Sequence, residues 1–528
     1  MSSPGPLSVQ PREATLDEGF RGRRLAVLVL GAGLLYGLGL NDCWRFQRDS
    51  ALYLTLARSL AETGTYSFDY RPHVLALPGL PGMLSLVYMT VGESYLAMNA
   101  LMALFGLGCI AMACLVYRRL PLSPVQVLAC MLLFAFSRAL YYYSMHIMSD
   151  VPFAFFVLVG LYCGLRMLRP DSGVGWAWCA AAAGTVCAAT ATRPLGPALL
   201  AALVAGLWLR PRGLKRWGPN LAATVLLALP LAVLGAAWAW RCARAGTAGS
   251  MGYYDVFVGQ QGVPKAALLA VTKVPDAIGA LQDAILGVRL PLAAGLLLLI
   301  PTVVGFVAAV RGGERVVSVY GLVYLGGICL GSPGRRYLLP ALPVLLYWLV
   351  LGAGIIGEHC ARRWKSITPD RVARLGAVLL LLAVAVNVVR IGKVIYEQRS
   401  PRFYEVTEEG RLPDYFALCL WLKENVPAED VVLAYEYRLI HYLSRVRAAP
   451  LPAGPEAWRA YAAWMRASSR SAFYVVRDPE RDSRTGGTEA AFQSLGAAAK
   501  VHGFGRIDLY RLFPDRLTAD PTRRTEAG

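Results

Sequence analysis

The sequence predicts a polytopic α-helical membrane protein with a small α/β domain near its C-terminus. Of its 528 residues, 56% are hydrophobic and only 16% are charged, and the mean hydropathy is +0.46. The apolar residues are gathered in runs of about 20, the length that an α-helix needs to cross a bilayer. Such runs end near residue 391, and shorter apolar patches with a strand-like pattern follow.

The strongly basic character of the chain does not indicate a nucleic-acid-binding protein. The formal net charge is +19, but Lys and Arg lie largely in short loops between apolar runs, where basic residues orient membrane spans. No nucleic-acid-binding module is recognisable. Most of the 11 Cys residues lie inside apolar runs without a CxxC pair, which is typical of small buried side chains. We therefore expect membrane lipids and no nucleic acid as partners, and we assign no metal ligands.

About eleven transmembrane helices can be placed along the chain. The first is expected to be retained, because arginines precede it and no convincing cleavage site follows it. Residues 1–24 are then a disordered cytoplasmic N-terminus, and residues 25–391 are the transmembrane domain. With this orientation every cytoplasmic connection is basic, as the positive-inside rule requires. The predicted spans are 25–41, 95–117, 125–143, 151–168, 174–192, 195–209, 218–239, 290–310, 316–331, 338–357 and 374–391.

An odd number of crossings places residues 392–516 on the extracytoplasmic side as an α/β domain, followed by a tail at 517–528. The same side receives a first loop, residues 42–94, and a second long loop, residues 241–289. Leu75–Val91 is apolar but contains Pro and Gly. We predict an interfacial or re-entrant helix there, because a further full span would invert every basic loop that follows.

The C-terminal domain is expected to alternate helical and strand-like patches. Tyr415–Glu424 has helical spacing. The candidates for short buried strands are Val431–Ala434, Ala472–Val476 and Ile507–Phe513.

The first outer loop begins with an amphipathic helix, predicted over Arg48–Glu62. Leu52, Leu56 and Leu60 share one face, whereas Thr55 and Arg58 fall on the opposite side, a pattern suited to a membrane surface. Asp49 stands at the N-terminal edge of this helix, where a carboxylate can meet a substrate arriving from lipid or from water. The alternative is a helix cap, since Asp is favoured at that position, and the two roles can coexist.

Four arginines lie near outer ends of apolar runs, against the positive-inside bias, which indicates anionic partners. A guanidinium group suits a phosphate because it can bind two oxygens at once. The alternative for Arg335 and Arg336 is snorkelling to lipid headgroups. For Arg193 and Arg138, pairing with a carboxylate of the protein is the alternative.

Asp150 and His146 lie on the predicted outer turn between the third and fourth spans. Asp150 is the second catalytic candidate after Asp49, and its other functional roles would be to orient the acceptor or to bind a cation. The alternative is a cap for the next helix, because Asp150 directly precedes Val151 and Pro152. Their spacing is weak support for a metal site.

These residue types fit the transfer of a sugar from a lipid phosphate. That reaction needs a base to take a proton from the acceptor and positive charge to stabilise the departing phosphate. Asp49 is the candidate base. The candidate ligands of the phosphate are Arg335, Arg336, Arg193 and Arg138.

Several short motifs follow one another in a fixed order on the predicted outer face. The set consists of Asp49-x-x-x-Tyr53-x-x-x-Ala57-x-x-Leu60-x-x-x-Gly64, Pro78–Gly82, Ser149-Asp150-Val151-Pro152, Arg193-Pro194, Arg336-Tyr337-Leu338-Leu339-Pro340 and Trp421–Pro427. Together they resemble the GT-C superfamily of membrane glycosyltransferases, close to family 39, which holds the protein O-mannosyltransferases and aminoarabinose transferases.

The resemblance implies an inverting glycosyltransferase that uses a polyprenyl-phosphate sugar donor on the extracytoplasmic side. The acceptor would be a lipid, a glycan or a protein, and by motif position Asp49 would be the base, with Tyr53 and Tyr337 as further site candidates. Many relatives carry an Asp-Glu pair where this chain has Asp49-Ser50. Metal dependence varies across the superfamily, so a divalent cation is left open.

A transporter or flippase for a lipid-linked or anionic substrate is the alternative function. The amphipathic first loop and the outer domain are features that a transporter does not need, and neither an internal repeat nor many charges in span centres are visible. The Ala- and Arg-rich composition is typical of a bacterial inner membrane protein.

Overall fold

The computed structural model describes the chain in segments. The predicted N-terminal segment 1–24 lies partly outside them, as does the loop 241–289, and the tail 517–528 lies entirely outside. The described residues are 18–69, 71–168, 174–209, 217–245, 272–330, 334–364, 368–400, 412–452, 472–478 and 498–513, together with 403, 458, 461 and 463–465.

The described part of the chain divides into two compact units. The first, here the helical unit, comprises Met1–Arg45, Val74–Met83 and Thr90–Tyr396. The second, here the mixed unit, comprises Phe46–His73, Leu84–Met89 and Glu397–Gly528.

Long apolar helices make up the helical unit, and each of the eleven predicted segments overlaps a helix. A short 3₁₀ turn, Leu339–Ala341, joins two of them. The helices are α1 (Glu18–Gly39), α4 (Tyr95–Tyr117), α5 (Pro124–Ala135), α6 (Arg138–Ser144), α7 (Asp150–Met167), α8 (Trp176–Thr192), α9 (Pro197–Trp208), α10 (Trp217–Arg244), α11 (Val274–Leu286), α12 (Leu292–Arg311), α13 (Arg315–Leu330), α14 (Arg335–Leu338), α15 (Leu342–Arg363) and α16 (Pro369–Arg399).

Five stretches of the described helices are long and apolar enough to cross a membrane, and a sixth is obtained if α5 and α6, bent by 45°, form one broken span. This confirms a helical membrane protein, while the count of eleven crossings remains a prediction. Helix α3 (Gly79–Val91) has 13 residues, whereas a full span needs about 20. Its length therefore fits the interfacial or re-entrant helix expected over Leu75–Val91.

Glycines allow close packing between α12 and α15. A Cβ atom built on Gly305 would overlap the carbonyl of Trp348, and one built on Gly352 would overlap the carbonyl of Pro301. Only a residue without a side chain permits this approach of two backbones, as is common between membrane helices. The contact fixes α15, which follows the arginines of α14.

The mixed unit contains a five-stranded sheet with the order β4-β3-β5-β7-β6. Strand β3 is parallel to both neighbours, and the β5–β7 and β7–β6 pairs are antiparallel. The three predicted strands are present, as β3, β5 and β7. The elements are α17 (Leu412–Asn425), β3 (Val431–Ala434), α18 (Tyr437–Ser444), β4 (Arg447–Pro450), β5 (Phe473–Arg477), β6 (Ala498–Phe504) and β7 (Ile507–Leu512).

The first loop contributes α2 (Arg48–Thr63) and a short hairpin of β1 (Ser67–Phe68) and β2 (Arg71–Pro72) to the mixed unit. Helix α2 is covered by protein more completely than its amphipathic pattern suggests, since Leu54 is fully buried and Thr55 is 8% exposed. The Thr55 hydroxyl donates to the carbonyl of Ala51, which satisfies it away from water. Thr55, which the helical spacing places opposite the apolar face, is therefore buried as well.

Candidate active site

Asp49 lies in the first turn of α2 and does not cap the helix. The cap contact is made by Ser50, whose Oγ accepts from the backbone N–H of Gln47 at 3.0 Å and donates to the carbonyl of Gln47 at 2.6 Å. Ser50 is fully buried. The residue that stands where relatives often carry a second acid thus has a structural role at the start of the helix.

The Asp49 carboxylate forms an ion pair with Arg438, the second residue of α18. The Arg438 guanidinium donates to Asp49 Oδ1 at 3.0 Å, and the two side chains are 27% and 32% exposed respectively. The Nε–H of Arg438 also donates to the Tyr437 hydroxyl at 3.1 Å. Burial disfavours the charged guanidinium, but Tyr437 and Asp49 together hold the pKa of Arg438 above its usual value, with a smaller contribution from Tyr53.

In the helical unit, Asp150 and Arg193 form a buried ion pair. Arg193 Nη1 donates to Asp150 Oδ1, and the side chains are 9% and 0% exposed. Arg193 closes α8 in an extended conformation, as expected for a residue before proline. Ser149 is the N-cap of α7 and makes no side-chain cap bond, and Asp150 occupies the first turn. The protein-carboxylate alternative for Arg193 is thus what the structure contains.

The other carboxylate oxygen of Asp150 has no hydrogen-bond partner among the described residues and is buried. A buried charged oxygen without a partner is costly. This atom is therefore positioned to accept a hydrogen bond from a bound molecule.

Tyr337 lies between two arginines. The guanidinium of Arg193 stands 4.8 Å from the centre of its ring, and that of Arg336 stands 4.7 Å away. Arg336 also donates to the Tyr337 hydroxyl at 2.6 Å. Tyr337 thus links Arg336 to Arg193, the partner of Asp150.

A second acidic centre in the helical unit was not predicted. Asp283, on α11, is 6% exposed and faces three arginines. Arg335 lies 2.8 Å from its carboxylate, Arg138 lies 3.6 Å away and Arg289 lies 4.0 Å away. One negative charge does not balance three positive ones, so this cluster retains an excess of positive charge.

His146 takes part in a structural contact in the turn before α7. One ring nitrogen, Nδ1, is 2.7 Å from the carbonyl of Tyr142, and burial lowers the pKa of the imidazole to about 4. Within the described ranges, no three His, Cys, Asp or Glu side chains are placed to hold a metal ion. Nothing in this turn assigns His146 to the chemistry of the site.

Comparison with protein families adds a match that lies mostly in the helical unit. Residues 80–244 match the family model described as dolichyl-phosphate-mannose-protein mannosyltransferase. The matched segment contains Arg138, His146, Asp150 and Arg193, and it stops short of Arg335 on one side and Asp49 on the other. A comparison with curated proteins finds no match.

Solved membrane glycosyltransferases have similar structures. ArnT from Cupriavidus metallidurans, bound to undecaprenyl phosphate, has a TM-score of 0.60 at 13% identity, over 94% of this chain and 99% of that one. The Archaeoglobus fulgidus oligosaccharyltransferase AglB, in complex with an inhibitory peptide and a dolichol-phosphate, has a TM-score of 0.55 at 14% identity, over 88% of this chain and 70% of that one. The chain has the GT-C fold. The resemblance to GT-C enzymes and to the family-39 branch is therefore confirmed.

A mycobacterial arabinofuranosyltransferase, AftD, shares the GT-C fold as well. Its TM-score is 0.50 at 16% identity, over 93% of this chain and 41% of that one. At such identities the likeness concerns the fold alone.

Proposed function

We propose that this GT-C protein is an inverting glycosyltransferase that moves a sugar from a polyprenyl-phosphate donor to an acceptor lipid, glycan or protein. The observation that carries the proposal is the excess of arginine around two buried acids in the helical unit. Three arginines surround Asp283, and Arg193 and Arg336 flank Tyr337 beside Asp150. An excess of guanidinium groups favours a phosphate. The polyprenyl and dolichol phosphates bound by ArnT and AglB are the same class of ligand.

The arginines are assigned to the donor phosphate. Arg336 and Arg335 are adjacent in α14 and half-buried, and each guanidinium group carries five N–H donors. Arg193 and Arg138 are more enclosed and are held by Asp150 and Asp283. We assign to Arg193 and Arg138 the role of shaping the site and adding positive charge to it. We assign to Arg335 and Arg336 direct contact with the phosphate oxygens.

Asp49 is assigned as the base. It takes the proton from the acceptor as the acceptor atom attacks the anomeric carbon from the face opposite the phosphate. The bond between that carbon and the phosphate oxygen breaks, its electron pair leaves with the polyprenyl phosphate, and arginine stabilises the added charge. Asp49 later loses the proton to water. One attack from the opposite face inverts the configuration of the sugar.

Asp150 is assigned to the acceptor. Its buried oxygen without a described partner accepts a hydrogen bond from the bound acceptor and orients it, while Arg193 holds the other oxygen. The site faces the extracytoplasmic side of a bacterial inner membrane in this proposal, because the basic loops assign the opposite side to the cytoplasm.

The test separates an enzyme from a transporter. Purified full-length protein in lipid vesicles is supplied with polyprenyl-phosphate sugars that differ in the sugar, together with a membrane extract as acceptor source. A glycosyltransferase releases polyprenyl phosphate and labels a component of the extract. Movement of intact donor across the vesicle membrane, without release of polyprenyl phosphate, would overturn the proposal and favour the flippase. Glycan profiles of cells with and without the gene then identify the sugar and the acceptor.

A further inference from the structure

Two ion pairs join the first turn of α2 to the segment that follows β3. Arg48 Nε lies 3.0 Å from Glu436 Oε1, and Arg438 Nη1 lies 3.0 Å from Asp49 Oδ1. The Arg48 guanidinium also stands 4.2 Å from the centre of the Tyr435 ring. The neighbouring residues Arg48 and Asp49 of α2 thus form ion pairs with Glu436 and Arg438 of the segment after β3. Each pair joins an arginine to a carboxylate.

The segment is well fixed on the sheet side. All four residues of β3 are buried, and the strand lies between two parallel neighbours, β4 and β5. The strand that follows β3 in sequence, β4, lies on one side of it, and the next strand, β5, lies on the other side. The segment after β3 therefore lies at the carboxyl end of the strand where the sheet order changes direction. Such ends hold functional side chains in α/β sheets.

Burial makes the Arg48–Glu436 pair hard to break. The Glu436 side chain is 4% exposed, whereas that of Arg48 is 49% exposed. Removing one partner of a pair that contains a buried charge destabilises the protein, so the pair with Glu436 holds Arg48 and with it the backbone of the next residue, Asp49. Arg438 then fixes the carboxylate of Asp49 itself.

We infer that Glu436 and Arg438 are positioning residues for the base, Asp49, so that the sheet of the mixed unit takes part in catalysis. Glu436 sets the backbone of α2 at its first turn, and Arg438 orients the Asp49 carboxylate by donating to its Oδ1. This inference rests on the proposed role of Asp49. A carboxylate displaced by about 1 Å is expected to lower the rate of transfer by about 10- to 100-fold.

The test compares Arg438→Met with Arg438→Lys in the full-length protein in vesicles. With a polyprenyl-phosphate sugar as donor, we expect Arg438→Met to lower kcat by about 10- to 100-fold with little change in the KM of the donor, and Arg438→Lys to recover part of the loss. An unchanged kcat, or an equal loss for Lys and Met, would overturn the inference.

The exposed ion pair between Arg445 and Glu62 is a matched control, because it lies toward the other end of the same two helices. Its side chains are 58% and 51% exposed and 3.4 Å apart, so it contributes little. Glu62→Gln is expected to leave kcat unchanged. If Arg438→Met does not fold, the test compares the kcat of Glu436→Gln with that of Glu62→Gln. A lower kcat for Glu436→Gln alone supports the inference, and equal kcat values overturn it.

The two proposals fail in different ways. Full activity of Asp49→Asn would show that Asp49 is not the base. The positioning role of Arg438 would then be rejected together with the proposed mechanism. An inactive Asp49→Asn together with a normal Arg438→Met would leave the proposed function intact and reject only the positioning role.

Discussion

Asp150 and Arg193 form an ion pair in which the carboxylate is completely buried and the guanidinium nearly so. Removing one partner of such a pair leaves an uncompensated charge, which typically costs about 3–5 kcal/mol. The double replacement Asp150→Asn with Arg193→Gln removes both charges, so it should recover part of that loss.

We therefore expect Arg193→Gln to lower the melting temperature of the detergent-solubilised protein clearly, and the double variant to lie between it and the unmodified protein. Thermal unfolding followed by circular dichroism measures both. A melting temperature of Arg193→Gln equal to that of the unmodified protein would show that the pair does not contribute to stability.

Arg336 is predicted to contact the donor phosphate directly. Replacing it with Ala removes a charge-assisted hydrogen bond, which is worth about 1.5–3 kcal/mol. The ratio kcat/KM for a polyprenyl-phosphate donor should fall accordingly, by about 10- to 100-fold. Steady-state kinetics at varied donor concentration measures it.

Arg362 provides the control for Arg336, because it lies on α15 in an exposed pair with Glu358. Arg362→Ala should leave donor kinetics unchanged. An effect of Arg336→Ala on the acceptor alone would contradict its role at the phosphate.

The contact between His441 and the hairpin of the first loop should depend on pH. His441 Nδ1 is 2.9 Å from the carbonyl of Val446, and Nε2 accepts from the backbone N–H of Asp69 at 3.3 Å. This arrangement requires a neutral ring, and burial lowers the pKa of His441 below its usual value of 6.5. The charged groups that face it are Asp69, whose pKa burial raises, Arg58 and Arg447.

A histidine whose pKa is lowered by folding stabilises the folded state above its unfolded pKa and loses that contribution as the pH falls. Hydrogen exchange of the β1–β2 hairpin, corrected for intrinsic rates, should therefore be faster at pH 5.5 than at pH 7.5, around the usual histidine pKa of about 6.5. His441→Gln keeps an acceptor and cannot gain a proton, so its exchange should change less between the two values. An equal change in both proteins would assign the pH dependence to another group.

The membrane helices and three of the strands could be predicted because their signals are local. Runs of apolar residues place helices, and the short runs at β3, β5 and β7 consist of residues buried within one sheet. Strand β6 was missed because most of its residues are exposed, so it has no apolar run. Helix α18 has only eight residues, too few to show a clear period.

The site was predictable in its residue types and not in its contacts. Asp150, Arg193 and Arg336 stood out because charge is rare beside apolar runs. Asp283 was missed because it is a single acid within the buried stretch of an amphipathic helix. An acid among apolar residues is nevertheless a feature from which a buried ion pair could have been predicted. Arg438 is 389 positions from Asp49, and no local pattern reveals a partner at that distance.

The role of Asp49 is tested most directly by the rate of sugar transfer of Asp49→Asn, measured as release of polyprenyl phosphate by the full-length protein in vesicles. Glu62→Gln, on the same helix, is the control. A base contributes about 100- to 10,000-fold to the rate, so we predict a loss of that size with an unchanged melting temperature. Transfer by Asp49→Asn at the rate of the unmodified protein would contradict the assignment of Asp49 as the base.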